Sequence, residues 1–422
     1  MSPRALVVLT GSELVRGDIA DANGSFLARE LSRLGLEPER ILIVGDRGEE
    51  LESALHEGLS ADLCVVSGGL GPTHDDRTIE VLARVAGREL RVDPDLEAEI
   101  ERVSREITTR LRRPYAEFAP GVRKQASLPQ GGFSLGLAGT APGVVLEVDG
   151  RVAVALPGPP EELRRLWRAA LESDPVKRVV AAAAPAQRHV LRFFGASEST
   201  VARALAEAGG EGAGVEATIC ARDSEVLVDL FADAEGGARA EELAATLRVQ
   251  LDQYFFADDE RSIEELVLEL CRDRGLRLAA AESCTGGMVA ERLTEVPGSS
   301  DVFRGAVVAY ADDVKASELD VPGEVLQRHG AVSAETAAAM ASGVRKRLGA
   351  DIGVAVTGIA GPGGGTADKP VGLVYLHVAG PDGELALDLD IPGGRHSVRT
   401  RSTAMALHLV RRLLEQSRHE RV

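Results

Sequence analysis

Apolar and polar positions along the chain switch repeatedly between two periods. ALVVL (5–9), ILIVGD (41–46) and DLCVVSGG (62–69) are short β-rich runs. Between them, NGSFLARELSRLG (23–35) places Phe26, Leu27, Leu31 and Leu34 at helical spacing and stops at Gly35. EELESALHEGL and RTIEVLARVAG repeat the helical pattern, the second closed by Gly87. Such alternation predicts a parallel sheet covered on both faces. GVVLEVDGRVAVALPG predicts a hairpin turning on Asp149-Gly150, and PPEELRRLWRAAL a helix with proline in its first turn.

The texture changes from about residue 175. QRHVLRFFG and EVLVDLFAD read as strands, and ESTVARALAEAGG and the segment after EGG as helices, which makes a small α+β module without a catalytic motif. Alternation resumes at ERSIEELVLELCRDRG (260–275). LRLAAAES, GAVVAYA, DIGVAVTG, VGLVYLHVAG and ELALDLDI are strands, and GGMVAERLTEV is a helix. SAETAAAMASGVRKRLG (333–349) is a helix capped by Ser333 and stopped by Gly349, with Met340, Val344 and Leu348 on one face. A last helix runs from about His396 to Glu415. The fold class is α/β, and the pattern divides the chain into residues 1–172, 173–258 and 259–422.

Composition narrows the functional classes. Hydrophobic residues are 44% of the 422 and aromatics only 3%, so the cores must be aliphatic. A net charge of −18 opposes binding to nucleic acid or anionic membrane, because Lys and Arg supply most non-specific affinity for phosphate. No stable nucleic-acid binding is expected. Cys64, Cys220, Cys271 and Cys284 lie far apart, with no Cys-x-x-Cys and no paired histidine motif, so no zinc site is indicated. No apolar run approaches the ~20 residues of a membrane helix. The N-terminus lacks the features of a signal peptide. A soluble cytoplasmic protein is the expectation.

Two turns carry candidate chemistry. GGLGPTHDDRT (68–78) leaves a strand end and enters a helix, where open α/β sheets bind ligands. Gly68, Gly69 and Gly71 permit close backbone approach to an anion, while Asp75 and Asp76 set carboxylates beside it. A divalent metal bridging to phosphate would reconcile the two. Glu13 and Asn23 follow the first strand and Asp46 ends the second, so three neighbouring strand ends carry acids. Each acid alone is equally an ordinary cap or solvated face.

The second turn is AAAESCTGG (279–287). A side chain there projects above the sheet, and the following amides of Thr285, Gly286 and Gly287 point at whatever binds, as in an oxyanion hole. Ser283 and Cys284 are both nucleophile candidates. Lys315, one of few lysines among many arginines, follows Tyr310 after a strand and offers a base if burial lowers its pKa. A solvated surface lysine is the plainer alternative. TGIAGPGGGTADKPVG (357–372) provides Thr357 and Gly358, Gly361, Gly363 and Gly364 for a phosphate-cradling loop, or a plain surface loop. Arg395 and Arg399 near a helix start suit bidentate phosphate contacts, as does Arg401.

These segments resemble a known family. TGSELVRGDIADANGSFLAREL, VVSGGLGPTHDDRT, RKQASLP, GTAPG and LPGPPEEL, in that order, look like the N-terminal domain of the CinA family, which is similar to the molybdopterin-binding fold of MoaB and MogA proteins. AAAESCTGG, GSSDVFRGAVVAYADDVK, HGAVSAETA and AVTGIAGPGGGTADKPVG resemble the family's C-terminal, PncC-type domain. The middle module is similar to a KH-type fold, without a basic Gly-x-x-Gly. The C-terminal resemblance implies hydrolysis of nicotinamide mononucleotide to nicotinate mononucleotide and ammonia, without a cofactor. It implies Ser283 as nucleophile, Lys315 helped by Tyr310 as base, and Arg395 or Arg399 with the glycine loop on the phosphate.

The N-terminal resemblance implies ADP-ribose hydrolysis to AMP and ribose 5-phosphate, with Asp46 and Asp76 at the family's acidic positions. Glu13, Asp75 and Asp76 would hold Mg²⁺ or Co²⁺, with K⁺ a further candidate ion. Gly68, Gly69, Gly71, Thr73 and Asn23 would contact substrate. Molybdopterin binding is the rival for this fold, and a competence-associated or recombination-associated binding role is the rival for the whole chain. A homodimer is expected. Three departures stand out: Gly136-Leu137 replaces the usual Asn-Pro before GTAPG, EFAPGVRKQA lacks the asparagines often found before RKQA, and Ala311-Asp312 replaces Ser-Asn after the tyrosine. Asp312 is expected to favour protonated Lys315.

Overall fold

A computed structural model describes residues 3–117, 119–183, 187–233 and 235–419. The chain forms two compact units, residues 1–188 with 232–235, and residues 189–231 with 236–422.

In the first unit the strands are β1 (Arg4–Thr10), β2 (Glu37–Val44), β3 (Leu63–Ser67), β4 (Leu90–Val92), β5 (Ser127–Pro129), β6 (Phe133–Leu137), β7 (Pro142–Val148) and β8 (Arg151–Leu156). The helices are α1 (Ser12–Arg16), α2 (Asn23–Arg33), α3 (Gly48–Gly58), α4 (Thr78–Val85), α5 (Pro94–Leu111), α6 (Ala119–Gln125), α7 (Pro160–Leu171) and α8 (Asp174–Ala181). The main sheet has the order β2-β1-β3-β8-β7-β6. β2, β1, β3 and β8 are parallel, whereas β7 and β6 run antiparallel. The parallel strands follow the strand–helix alternation, and the expected hairpin supplies the antiparallel edge. A two-residue turn at Asp149-Gly150, both at positive φ, can join only antiparallel neighbours.

The sheet's two faces carry separate aliphatic cores, one under α3 and α4, the other under α2 and α7. Val176 of α8 belongs to the second, so α8 stays with this unit although the expected boundary at 172 precedes it. The 18-residue helix α5, capped by the Asp93 carboxylate, was not anticipated from the sequence pattern.

The second unit begins with the small module. Its elements are β9 (Gln187–Phe194), α9 (Glu198–Glu207), β10 (Val215–Arg222), β11 (Glu225–Ala232), α10 (Gly237–Gln250) and β12 (Phe255–Ala257), with sheet order β10-β11-β9-β12. There follow α11 (Ile263–Asp273), β13 (Leu278–Glu282), α12 (Met288–Thr294), β14 (Phe303–Val308), α13 (Asp312–Leu319), α14 (Gly323–His329), α15 (Ala334–Leu348), β15 (Ile352–Gly358), β16 (Leu373–Gly380), β17 (Gly383–Asp390) and α16 (Arg395–His419). Their sheet has the order β14-β13-β15-β16-β17. It is parallel across β14, β13 and β15 and antiparallel beyond, because a tight turn joins β16 to β17. α11, α12 and α16 cover one face, and α13 and α15 the other. No helix among the described residues is long and apolar enough to cross a membrane.

Candidate functional site

β13 lies between β14 and β15, with Glu282 opposite Val308 on one side and Val356 on the other. The segments leaving these three strands therefore meet at one sheet edge. The Ser283 amide donates to the Val356 carbonyl at 2.9 Å, and the Ala309 amide donates to the Glu282 carbonyl at 2.8 Å. Ser283 is buried, at 8% exposure. The chain then turns through Gly286 (φ 61°) and Gly287 (φ 101°), values that favour glycine.

The turn's amides are not all free, as an oxyanion hole from Thr285, Gly286 and Gly287 would require. The Gly286 amide donates to the Ser283 carbonyl at 3.1 Å. The Gly287 amide donates to Glu282 Oε2 at 2.9 Å. Of the three, the Thr285 amide alone has no carbonyl or carboxylate acceptor among the described contacts. Thr285 Oγ1 is buried with no hydrogen-bond partner.

Lys315, on α13, is 1% exposed, which rules out the surface-lysine alternative. Its Nζ donates to the Tyr310 carbonyl at 3.1 Å and lies 3.7 Å from Asp312 Oδ1. Burial lowers its pKa below the usual 10.5, and the opposing attraction of Asp312 is the smaller effect. Asp312 acts in the expected direction, favouring the protonated lysine, but burial outweighs it and the net shift is downward. Tyr310 meets the lysine through its carbonyl. Its side chain is 60% exposed and its hydroxyl accepts from Arg395 Nη2 at 3.1 Å.

The arginines brace the site. Arg399 donates through Nε to the Cys284 carbonyl at 3.2 Å and through Nη2 to the Thr285 carbonyl at 2.7 Å. Arg395 Nη1 holds the Gly361 carbonyl at 2.8 Å. Arg401 lies elsewhere, its Nε donating to Ser224 Oγ at 3.2 Å. Arginine has five donors, so Arg395 and Arg399 keep some for a ligand. Thr357 is fully buried and donates to the Ala331 carbonyl at 2.7 Å, a structural anchor at the start of the loop. Gly358 still belongs to β15, opposite Val374. Gly361, joined to Pro362 by a cis peptide, packs on Val371, while Gly363 and Gly364 are exposed. Lys369, which the sequence pattern did not single out, ties the far end of this loop to the His329 and Val332 carbonyls, each at 2.7 Å. Glu282 was missed as well, although a lone carboxylate closing the apolar run AAAE was a visible signal.

In the first unit, the strand ends surround a cavity of about 400 Å³. Gly68, Gly69 and Gly71 line it, together with Glu13, Asp46, Asp75, Asp76 and Glu162. Gly68 has φ 104°, and a Cβ there would stand 2.3 Å from the Thr10 carbonyl oxygen, so glycine is needed. Asp46 is fixed by the Ser12 amide at 2.9 Å. Thr73 is the hinge of the acid pair: its amide donates to Asp76 Oδ2 at 2.9 Å, and its hydroxyl reaches both Asp75 and Asp76. The Thr73 hydroxyl holds the Asp75 carboxyl below the usual carboxylate range, whereas burial pushes Glu162 up. Asn23 does not line the cavity. Its side-chain amide bridges Ser67 Oγ at 3.0 Å and the Gly158 carbonyl at 2.7 Å, bracing two of the loops.

Five carboxylates line this cavity and no Lys or Arg does. Among the described residues, no three carboxylate, histidine or cysteine side chains gather to ligate an ion by themselves. That donor set fits a hard divalent ion such as Mg²⁺, which uses one or two carboxylates and completes its shell with water and substrate phosphate.

Comparison with known proteins assigns each part. Residues 6–176 match the Probable molybdopterin binding domain, 188–257 the Damage-inducible protein CinA KH domain, and 260–414 the CinA C-terminal domain. A CinA-like protein of Mycolicibacterium paratuberculosis is 42% identical over 433 residues, covering 98% of this chain and 99% of its own. One from Mycolicibacterium gilvum is 43% identical over 425 residues, with the same coverage of both chains. A solved competence/damage inducible protein from Agrobacterium tumefaciens is 42% identical, covers 38% of this chain and 99% of its own, and has a TM-score of 0.35. With full-length relatives at this identity and all three domain matches in order, the chain belongs to the CinA family.

Proposed function

We propose that the C-terminal domain hydrolyses the carboxamide of nicotinamide mononucleotide, giving nicotinate mononucleotide and ammonia. The observation that carries this reading is a buried lysine of lowered pKa on the helix that follows β14, while a buried serine directly follows the neighbouring strand β13. Ser283 attacks the carboxamide carbon while Lys315, neutral, accepts the hydroxyl proton and returns it to the departing amine. Water then adds to the acyl-serine and restores the hydroxyl. The Thr285 amide, which has no carbonyl or carboxylate acceptor among the described contacts, would serve as an oxyanion donor. The unspent donors of Arg395 and Arg399, with the exposed glycines 363 and 364, would hold the ribose phosphate. Nicotinamide mononucleotide is incubated with the full chain and ammonia is followed. The wild type and Cys284→Ala release it, and Ser283→Ala does not. Wild-type inactivity, or an active Ser283→Ala, sinks the reading.

For the N-terminal domain, the acidic cavity supports metal-dependent hydrolysis of ADP-ribose to AMP and ribose 5-phosphate. Asp76, with Asp46, Asp75 or Glu13, would hold the ion, which supplies charge neutralisation at the pyrophosphate. The glycine turn 68–71 would approach the phosphates. With Mg²⁺ or Co²⁺ present, AMP should form, and Asp76→Ala should abolish it. Molybdopterin binding remains the second reading, favoured by the match of residues 6–176 to that domain. Unimpaired AMP release by Asp76→Ala overturns the site assignment.

A further inference from the structure

We infer that Glu162 is the general base of the N-terminal reaction, a cavity carboxylate that activates water instead of holding the ion. The inference rests on the ADP-ribose hydrolase reading of that cavity. Glu162 is the third residue of α7, a position from which a glutamate ordinarily reaches back to the N-cap amide and closes a capping box. That use is ruled out here. The N-cap is Pro159 and the next residue is Pro160, and neither has an N–H to give. The neighbouring Glu161 is exposed and pairs with Arg164 Nη1 at 3.1 Å. Glu162 is half-buried, and among the described residues neither of its oxygens has a hydrogen bond or an ion pair. Its carboxylate lines the cavity instead. An unpartnered, partly desolvated carboxylate costs stability, and one that faces a cavity is a candidate for chemistry.

The loop before β7 makes room for this side chain. A Cβ on Gly139 would stand 2.2 Å from Glu162 Oε1 and 2.8 Å from Oε2. Gly139 is not among the glycines at positive φ, so its missing side chain serves space and not backbone conformation. The sheet order then separates the roles. Asp46 leaves β2, Glu13 follows β1, and the glycine turn with Asp75 and Asp76 leaves β3, whereas α7 follows β8. Glu162 therefore flanks the glycine turn on the side away from Glu13 and Asp46. The other charged groups lining the cavity are Glu13, Asp46, Asp75 and Asp76, all acidic, and burial raises the Glu162 carboxyl towards the range useful to a base near neutral pH. As the oxygen of the attacking water bonds to one phosphorus of the pyrophosphate, Glu162 takes the proton. The bridging P–O bond breaks, its electron pair leaves on the departing phosphate, and Glu162 then releases the proton to solvent.

The experiment uses the full chain as wild type, Glu162→Gln and Gly139→Ala. AMP release from ADP-ribose with Mg²⁺ gives kcat and KM, calorimetry with Mg²⁺ alone gives its affinity, and thermal unfolding gives Tm. Glu162→Gln keeps the shape and removes the base, so kcat should fall by about 10²–10⁴ with KM and Mg²⁺ affinity little changed. Its Tm should be no lower than that of the wild type, because an unpartnered carboxylate has been removed. In Gly139→Ala the new Cβ meets the end of a flexible side chain, so the fold persists while the carboxylate is displaced, and kcat should drop about tenfold or more. Undiminished kcat in Glu162→Gln overturns the inference. A loss of Mg²⁺ affinity in that variant also overturns it, because Glu162 is then a metal ligand, and a fall in Tm that accompanies the fall in kcat makes the residue structural and overturns it as well. A wild type that forms no AMP refutes the hydrolase reading and the base role with it, whereas AMP from both wild type and Glu162→Gln refutes the base role alone.

Discussion

Lys315 is enclosed by protein, with its ammonium held by one carbonyl and one looser carboxylate. Burial is what makes a lysine usable as a base, since the neutral form must be reached near working pH. Lys315→Arg keeps the size and the charge but cannot be deprotonated, and it should lower kcat by about 10²–10⁴. The rate of ammonia release should rise with pH through the Lys315 titration, which lies below the ordinary 10.5. Asp312→Asn removes the opposing attraction and should move that rise to lower pH, as a kcat/KM profile would show. The stability consequence has a definite sign: between the lowered folded pKa and the unfolded value, the unfolded chain binds more protons, so this group makes stability increase with pH in that window. The sequence drew attention to Lys315 and Tyr310 together. It could not show that the carbonyl of Tyr310, rather than its phenol, contacts the lysine, because that depends on how α13 folds back after β14.

At the scale of elements, α13 is held in place by its packing against α15. Gly343 lies at their contact, where a Cβ would come within 1.9 Å of the Leu319 carbonyl oxygen. Backbone cannot yield as a side-chain tip does. Gly343→Ala should cost about 1–3 kcal/mol by overpacking, measurable by calorimetry, and should depress ammonia release because α13 carries Lys315. The ends of α15 were legible from sequence: Ser333 accepts from the Thr336 amide, and Gly349 takes the left-handed conformation. The purpose of Gly343 was not, since nothing within the helix says which neighbour crosses it. β7 and β8 show the reverse case. Their turn was plain in Asp149-Gly150, and the antiparallel pairing follows directly from it.

Across the whole molecule, the two candidate sites belong to separate compact units. Ser283→Ala should leave AMP formation from ADP-ribose unchanged, and Asp76→Ala should leave ammonia release unchanged; both products can be followed in parallel assays. Within the second unit, the small module is joined to α16 through His408, which is fully buried, donates or accepts at Glu225 Oε1 across 2.9 Å, and stacks on Phe194 at 3.7 Å. Burial pushes His408 down to about 4, with Glu225 opposing and Arg411 and Arg192 adding to the downward shift. The unfolded residue titrates near 6.5, so stability is lost as pH falls from there towards 4, by about 3 kcal/mol for this group. His408→Gln should flatten the calorimetric pH dependence between pH 7 and 5. The sequence by itself determined much of the strand and helix order, the aliphatic cores, the glycine turns and the residue types needed for chemistry, because periodicity, caps and turn residues act over a few positions. Only the tertiary structure decided that Lys315 is buried, that Glu282 takes up the Gly287 amide and the first amides of α12, and that Arg399 pins the carbonyls of Cys284 and Thr285. Those facts arise where β13, β14, β15 and α16 converge, and burial and donor occupancy are properties of that convergence.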